Sequence, residues 1–89
     1  MSYRVEVSSL AKRELRALPG HVRAQALQLL RSLAVDPRPA QSKELRGKSN
    51  IYRVWLAKNW RVVYALEDEI ALVLIIRIRR KEHIDYDSL

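Results

Sequence analysis

The chain has 89 residues, carries a strong positive charge and contains no cysteine. Lysine and arginine total 17 against 10 acidic residues, a formal net charge of +7 at pH 7. The missing cysteines exclude disulfides, thiolate nucleophiles and thiolate metal ligands, and two histidines are too few for a typical zinc site. We expect one domain over residues 1–89 with a small hydrophobic core, and no metal or cofactor.

The charge and the hydropathy indicate the class of partner. Arginine outnumbers lysine, and its planar fork matches phosphate oxygens, so the composition favours a nucleic acid over the alternative of a merely soluble basic surface. No apolar run approaches the roughly 20 residues that cross a bilayer. The first six residues alternate between polar and apolar side chains, unlike a signal peptide, so we expect a cytoplasmic protein without a membrane partner.

The first half of the chain predicts a strand followed by two helices. Residues 3–8 alternate between apolar and polar side chains, as a half-buried strand does. Ser8 or Ser9 can cap a helix that the proline–glycine pair at 19–20 ends. Apolar residues spaced three and four apart then predict a longer helix over 21–35. The two helices share one apolar face and should form a hairpin.

The second half predicts a loop and three strands. Residues 36–50 resemble an ordered or partly mobile loop with a basic second half. Strands are predicted at residues 51–57, 60–66 and 70–78. The last of these is almost continuously apolar, which is typical of a central strand covered on both faces. The acidic turn at 67–69 should be solvated, and the polar tail at 79–89 irregular.

The resulting order is β-α-α-β-β-β. It predicts an α+β fold in which the helical hairpin packs on one face of a mostly antiparallel four-stranded sheet. The opposite face is only partly apolar and carries arginines. A sheet with one buried and one basic face is suited to binding.

Arg53 and Arg61 lie on that basic face. They belong to adjacent strands of one hairpin, and each alternates with core residues, so both guanidinium groups should reach one surface together with Trp55. Because this phase points to solvent, Arg61→Ala should change the free energy of unfolding by less than about 0.5 kcal/mol. For each arginine alone, a solvated surface position remains the alternative, and Trp55 could instead pack on the sheet edge.

The end of the last strand extends the basic patch. It delivers Arg77, Arg79, Arg80 and Lys81, and Tyr86 follows on the tail. Cations neutralise phosphates and aromatic rings stack unpaired bases, a combination that fits RNA. It also fits RNA cleavage without metal, in which the 2′-hydroxyl attacks phosphorus, arginines stabilise the growing charge, and Tyr86 or else His83 moves a proton. The alternative for these positions is a charged strand end without function.

Several segments together resemble the RelE/ParE superfamily of toxins from bacterial type II toxin–antitoxin systems. The similarity covers the whole chain, and it rests on the order of the elements and on these segments: Leu45-Arg46-Gly47, Tyr52-Arg53-Val54, Trp60-Arg61-Val62-Val63-Tyr64 and Arg77-Ile78-Arg79-Arg80-Lys81-Glu82. The resemblance implies a toxin that a tightly bound antitoxin neutralises. In the RelE branch it implies an endoribonuclease that cuts mRNA in the ribosomal A site without a metal.

The resemblance also implies roles for individual residues. Arg61 matches the arginine that binds the phosphate, and Arg53 matches a basic residue on the second strand of the family. Arg80 matches the arginine beyond the last strand, a place that Lys81 or Arg79 could also take. Tyr86 matches a C-terminal tyrosine that stacks on a base and assists proton transfer. The expected RNA contacts outside this catalytic set are Arg46, Lys48, Trp55, Lys58, Arg77, Arg79, Lys81 and His83.

The sequence also departs from the RelE pattern. Trp55 stands where RelE-like enzymes often carry a lysine, and the glycine usual after the last strand is replaced by an arginine. These departures leave two alternatives open. One is a toxin of the ParE branch, which inhibits DNA gyrase and cuts no RNA, and the other is a basic RNA-binding module without catalysis.

Overall fold

The computed structural model describes residues 2–89, so Met1, at which the predicted domain starts, lies outside it. The elements in chain order are strand β1 (Arg4–Val7), helices α1 (Ser9–Ala17) and α2 (Gly20–Val35), and strands β2 (Lys43–Glu44), β3 (Ile51–Leu56), β4 (Trp60–Glu67) and β5 (Leu72–Arg80). Short 3₁₀ helices span Asp68–Ile70, Lys81–His83 and Tyr86–Ser88.

The strands form one mixed sheet in the order β1-β5-β4-β3-β2. β1 runs parallel to β5, and the other neighbours are antiparallel. The predicted α+β class is confirmed, but the count of four strands is wrong. The fifth strand, β2, pairs Lys43 with Arg53 and Glu44 with Tyr52. Two residues are too few to show alternation, so the sequence analysis placed them in a loop.

The helices begin and end with defined caps. The Ser8 hydroxyl accepts a hydrogen bond from the Ala11 N–H at 3.1 Å, as an N-cap should. At the other end of α1, a guanidinium N–H of Arg23 donates to the Leu18 carbonyl at 3.0 Å and satisfies one of its free acceptors. No helix among residues 2–89 is long and apolar enough to span a bilayer.

The core lies between the helices and one face of the sheet. It contains Val22, Ala26 and Leu33 of α2 and alternate residues of the central strands, with Tyr64 the largest side chain that is fully buried. The Tyr64 hydroxyl donates to the Pro37 carbonyl at 2.8 Å, so its polar atom is satisfied. Trp60 packs against this core and is half-buried.

A β-bulge in β5 decides which arginines face which way. Arg77 is opposite Val63 and Ile75 is opposite Tyr64, so Ile76 is the extra residue. The bulge shifts the alternation by one position. It brings Ile78 into the core and places Arg80, two residues later, on the side of the helices.

Candidate nucleic-acid interface

A pocket of about 620 Å³ lies at the side of the molecule where the loop before β3, the β3–β4 hairpin and the C-terminal tail meet. Six side chains expected from the sequence line it: Arg46, Lys48, Arg53, Arg61, Lys81 and Tyr86. Leu45, Glu82 and Asp87 complete the wall, and the sequence analysis had not singled them out. We refer to this site as the basic pocket.

The hairpin supplies the floor of the basic pocket. Arg61 is directly opposite Trp55 in the β3–β4 register, and Arg53 is opposite Val63 two residues further along. These side chains share the face that points away from the core residues Val54 and Val62, as alternation requires.

Arg61 is far less exposed than the sequence analysis expected. It is 9% exposed and is the one charged residue classed as buried among residues 2–89. Its guanidinium lies 5.1 Å from the ring centroid of Trp55, and one of its nitrogens donates to the Trp60 carbonyl at 2.8 Å. The expectation of a solvent-facing Arg61 is therefore wrong, because the face away from the helices is covered locally around Arg61, where the Trp55 ring lies against its guanidinium and Val63 is fully buried.

The guanidinium of Arg61 keeps donors to spare. An arginine has five N–H donors, and within residues 2–89 this one makes a single hydrogen bond, to a backbone carbonyl. A partly desolvated cation without a carboxylate partner is costly unless an anion joins it. Because Arg61 lines the basic pocket, its free donors face a space that an anion can enter.

The loop before β3 is folded tightly and presents two further cations. Gly47 adopts a φ of +76°, a left-handed conformation that glycine accepts without strain, and the Lys48 N–H donates to the Leu45 carbonyl at 3.2 Å. This turn places Arg46 and Lys48 at the rim of the basic pocket.

The C-terminal tail, expected to be irregular or a frayed turn, contains two short 3₁₀ helices that hydrogen bonds hold in place. The Lys81 N–H donates to the Asn59 carbonyl at 2.9 Å, and the Asp85 carboxylate accepts from the Asp87 N–H at 3.0 Å. The Lys48 ammonium reaches back to the main-chain oxygen of Leu89 at 3.1 Å. These bonds hold Tyr86, half-buried, in the pocket wall.

Two arginines of β5 do not line the basic pocket. Arg77 and Arg79 form ion pairs with Glu14 of α1 at 3.7 and 3.1 Å. Glu14 also accepts the Ile78 N–H at 2.9 Å, so it sits against the edge of β5 just beyond the end of β1. The sequence analysis missed Glu14, since its role depends on where β1 stops.

Arg80 lies on the side of the helices, away from Arg61. It is opposite Trp60 in the register, its guanidinium lies 5.8 Å from that ring centroid, and its Nε donates to Glu82 at 2.6 Å. His83 lines the same separate groove as Trp60 and Arg80. Lys58, exposed at the β3–β4 turn, does not line the basic pocket.

A second cluster of arginine and aromatic side chains lies beyond the far end of the sheet. Arg38 donates to both carboxylate oxygens of Asp68, at 3.3 and 2.7 Å, and to the Tyr52 hydroxyl at 3.0 Å. Tyr3 donates to the same carboxylate at 2.7 Å. These bonds hold the pKa of Asp68 below its usual value and raise that of Tyr3. The acidic turn is exposed, as expected, and its Asp68 carboxylate also binds Arg38.

The cations of the basic pocket differ from the arginines elsewhere in the fold in whether they form ion pairs. Within residues 2–89, the ion pairs engage Arg4, Arg38, Arg77, Arg79 and Arg80, and none engages the five cations that line the basic pocket. The carboxylate of Glu82, in the same wall, is held by Arg80, which lowers its pKa. Among residues 2–89, the basic pocket thus concentrates cations that form no ion pair and outnumber the two carboxylates in its wall, and a phosphate backbone fits such a site.

Comparison with known proteins identifies the family. A family model for the ParE toxin of the type II toxin–antitoxin system, parDE, matches residues 5–84. The chain belongs to this toxin family. The mRNA interferase toxin RelE of Escherichia coli strain K12 is 30% identical over 83 residues, which cover 92% of this chain and 86% of that protein. The resemblance to the RelE/ParE superfamily is confirmed.

Solved structures of E. coli RelE share the fold. A mutant of that toxin in the free state superposes with a TM-score of 0.84 at 29% identity, covering 99% of this chain and 93% of that one. The toxin in the intact E. coli RelBE toxin–antitoxin complex gives 0.80 at 30% identity, covering 92% of this chain and all of that one, 100%.

Proposed function

We propose that this toxin is an endoribonuclease that cuts mRNA on the ribosome and so arrests translation in the cytoplasm. The observation that carries the proposal is the basic pocket, in which one tyrosine converges with five cations that form no ion pair within residues 2–89. The RelE relative that is named an mRNA interferase is similar over nearly the whole chain, which supports the same activity here.

The proposed reaction is an internal transesterification. The 2′-oxygen of one nucleotide attacks the adjacent phosphorus, the bond from phosphorus to the 5′-oxygen breaks, and a 2′,3′-cyclic phosphate and a 5′-hydroxyl form. Negative charge grows on the non-bridging oxygens as the attack proceeds. Cations already in place stabilise that charge with no reorganisation, and no metal ion is needed for this step.

The pocket geometry suggests how the roles are divided. Arg61, Arg53 and Lys81 would hold the phosphate, and Arg46 and Lys48 would bind the neighbouring backbone. Lys81 takes the role that the resemblance implied for Arg80, because the latter lies on the side of the helices.

Proton transfer is assigned to Tyr86. Its ring lines the basic pocket, whereas His83 lines the groove beside Trp60. One proton must leave the attacking 2′-hydroxyl and one must reach the departing 5′-oxygen. We assign Tyr86 to one of these transfers.

A small antitoxin protein is the proposed partner, as in the RelBE complex of E. coli. A formal charge of +7 on the toxin suits an acidic antitoxin segment, since opposite charges steer association and suppress wrong partners. Binding near the basic pocket would neutralise the toxin by covering its unpaired cations.

Primer extension on an mRNA bound to programmed ribosomes tests the function. We expect new stops within the A-site codon with the wild-type protein, and a loss of at least about tenfold with Tyr86→Phe, which removes only the hydroxyl. His83→Ala is the matched control and should cut like the wild type. No stops at any toxin concentration would contradict the proposal, and inhibition of gyrase supercoiling in a parallel assay would then assign the protein to the ParE branch.

A further inference from the structure

Trp55 is an exposed aromatic side chain beside the basic pocket. It is 61% exposed although it belongs to a strand of the sheet. The edge strand β2 pairs only with Tyr52 and Arg53 of β3, so Trp55 lies where β3 has an open edge. The ring can therefore be reached both from that edge and from the face that carries Arg61.

One contact orients this ring. The guanidinium of Arg61 lies over it, 5.1 Å from the centroid, and a hydrogen bond to the Trp60 carbonyl holds that guanidinium in place. An indole with a cation over it and most of its surface in water is a stacking platform that is already oriented. The cation that orients it also lines the basic pocket.

The surroundings of Trp55 favour a base over a protein partner. The groove next to it, about 250 Å³, mixes Gln25, Gln28 and Ser32 of α2 with Leu29, Leu56 and Ala57, so polar side chains interrupt the apolar surface beside the ring. Protein interaction sites are usually contiguous apolar patches, and a lone aromatic ring among polar and cationic groups is typical of nucleic-acid sites.

We propose that Trp55 stacks an unpaired base of the RNA strand, next to the phosphate that Arg61 binds, and that it prefers a purine. The inference deepens the proposed function and rests on it, because it names a specificity determinant of the same site. A purine covers more of an indole than a pyrimidine does, so stacking strength translates into a preference for base type at this position.

Binding of RNA that cannot be cut tests the platform without relying on catalysis. The probes are short 2′-O-methyl oligonucleotides of adenine or of uracil and an abasic oligonucleotide of equal length, each with a fluorescent label, titrated with the free toxin. The variants are Trp55→Leu, which keeps an apolar side chain, and the control Ile70→Leu, at a residue that is also 61% exposed and lies in the turn after β4.

The wild type should bind the adenine probe more tightly than the uracil probe, and both more tightly than the abasic one. Trp55→Leu should weaken the adenine probe by between about 5-fold and about 100-fold and leave the abasic probe within about twofold, as the loss of one stacked base predicts. The control should bind all three like the wild type.

The outcomes separate this inference from the proposed nuclease. Equal affinity of Trp55→Leu and wild type for the adenine probe would overturn the inference. A protein partner would then be the better candidate to cover the indole. Equal weakening of all three probes would overturn it too, because the ring would then act only through Arg61. In a third outcome, the wild type binds purines preferentially and Trp55→Leu loses that preference, while the wild type fails to cut mRNA. That result would contradict the proposed nuclease activity and support the stacking inference.

Discussion

Three arginines of this toxin lie over aromatic rings, and two of them, Arg38 and Arg61, differ in their remaining contacts. Arg38 lies 5.4 Å from the centroid of Tyr52, and Arg61 lies 5.1 Å from that of Trp55. The first is also held by two hydrogen bonds from its guanidinium to Asp68. Within residues 2–89 the guanidinium of Arg61 makes a hydrogen bond only to the Trp60 carbonyl, although Arg61 is the more buried of the two.

The comparison shows that burial alone does not tell a structural cation from a functional one. Arg38 has its charge balanced within the fold, so we expect it to act on stability. Arg61 is withdrawn from water without a carboxylate, an arrangement that costs stability and persists where a ligand supplies the missing charge. Substitutions in the two regions should therefore affect different measurements.

The largest effect is expected at Arg61. Arg61→Met fills similar space without the charge, and it should lower cleavage by about 100-fold or more. Its melting temperature should equal or exceed that of the wild type, because an unpaired buried charge has been replaced by an apolar side chain. Thermal unfolding and the primer-extension assay measure both. A large drop in melting temperature would mean that Arg61 is structural.

The next largest difference in cleavage is expected between substitutions of Lys81 and Arg80, two neighbouring cations that point to different sides of the molecule. Lys81→Gln should lower cleavage by about 10-fold to 100-fold, because it removes a cation from the basic pocket. Arg80→Gln should change it by less than about threefold, since its guanidinium is held by Glu82 near Trp60. Initial rates of cleavage on programmed ribosomes distinguish the two variants. A larger loss with Arg80→Gln than with Lys81→Gln would contradict the proposed roles of these two residues.

The Arg38 region should respond in the opposite way. Arg38→Ala breaks the bonds to Asp68 and Tyr52, so it should lower the melting temperature while cleavage by the folded protein stays within about twofold. Circular dichroism at increasing temperature, followed by the cleavage assay well below the transition, measures the two effects. A strong loss of cleavage without a loss of stability would contradict the structural role that distinguishes Arg38 from Arg61.

The smallest effect concerns acid pH. The Arg38 and Tyr3 hydrogen bonds lower the pKa of Asp68 in the folded state. A lowered pKa stabilises the fold above the ordinary aspartate value of about 4, and this contribution is lost as the pH falls through the folded-state value. Asp68→Asn should therefore show a shallower fall of melting temperature below about pH 4 than the wild type, and Glu82→Gln should show the same kind of change because Arg80 lowers the pKa of Glu82. Identical acid profiles would contradict the assignment.

The sequence predicted what depends on local periodicity. Alternation in the hairpin correctly placed Arg53, Arg61 and Trp55 on one face, because neighbouring antiparallel strands keep a common phase. Helix positions followed from spacing in the same way. The alternation carried no information on burial, and so the exposure of Arg61 was misjudged.

Features that depend on tertiary context were beyond the sequence. The apolar run in β5 shows no alternation, so the bulge at Ile76 cannot be recognised in the sequence. The bulge nevertheless determines that Arg80 and Arg61 point to different faces. The order of the tail depends on backbone partners such as Asn59, which composition does not reveal. Lys81 was expected to contact RNA and was an alternative to Arg80 in the catalytic set, and the sequence alone did not decide between the two.

Glu14 affects whether the sheets of two toxin molecules can join at their edges. Beyond the end of β1, the edge of β5 would offer free N–H groups to a strand of another molecule, which is how sheets join and aggregate. The Glu14 carboxylate binds the N–H of Ile78 and draws two arginine side chains across the same edge. A strand approaching there meets an occupied donor and positive charge, so this stretch of the edge is protected against sheet extension between copies.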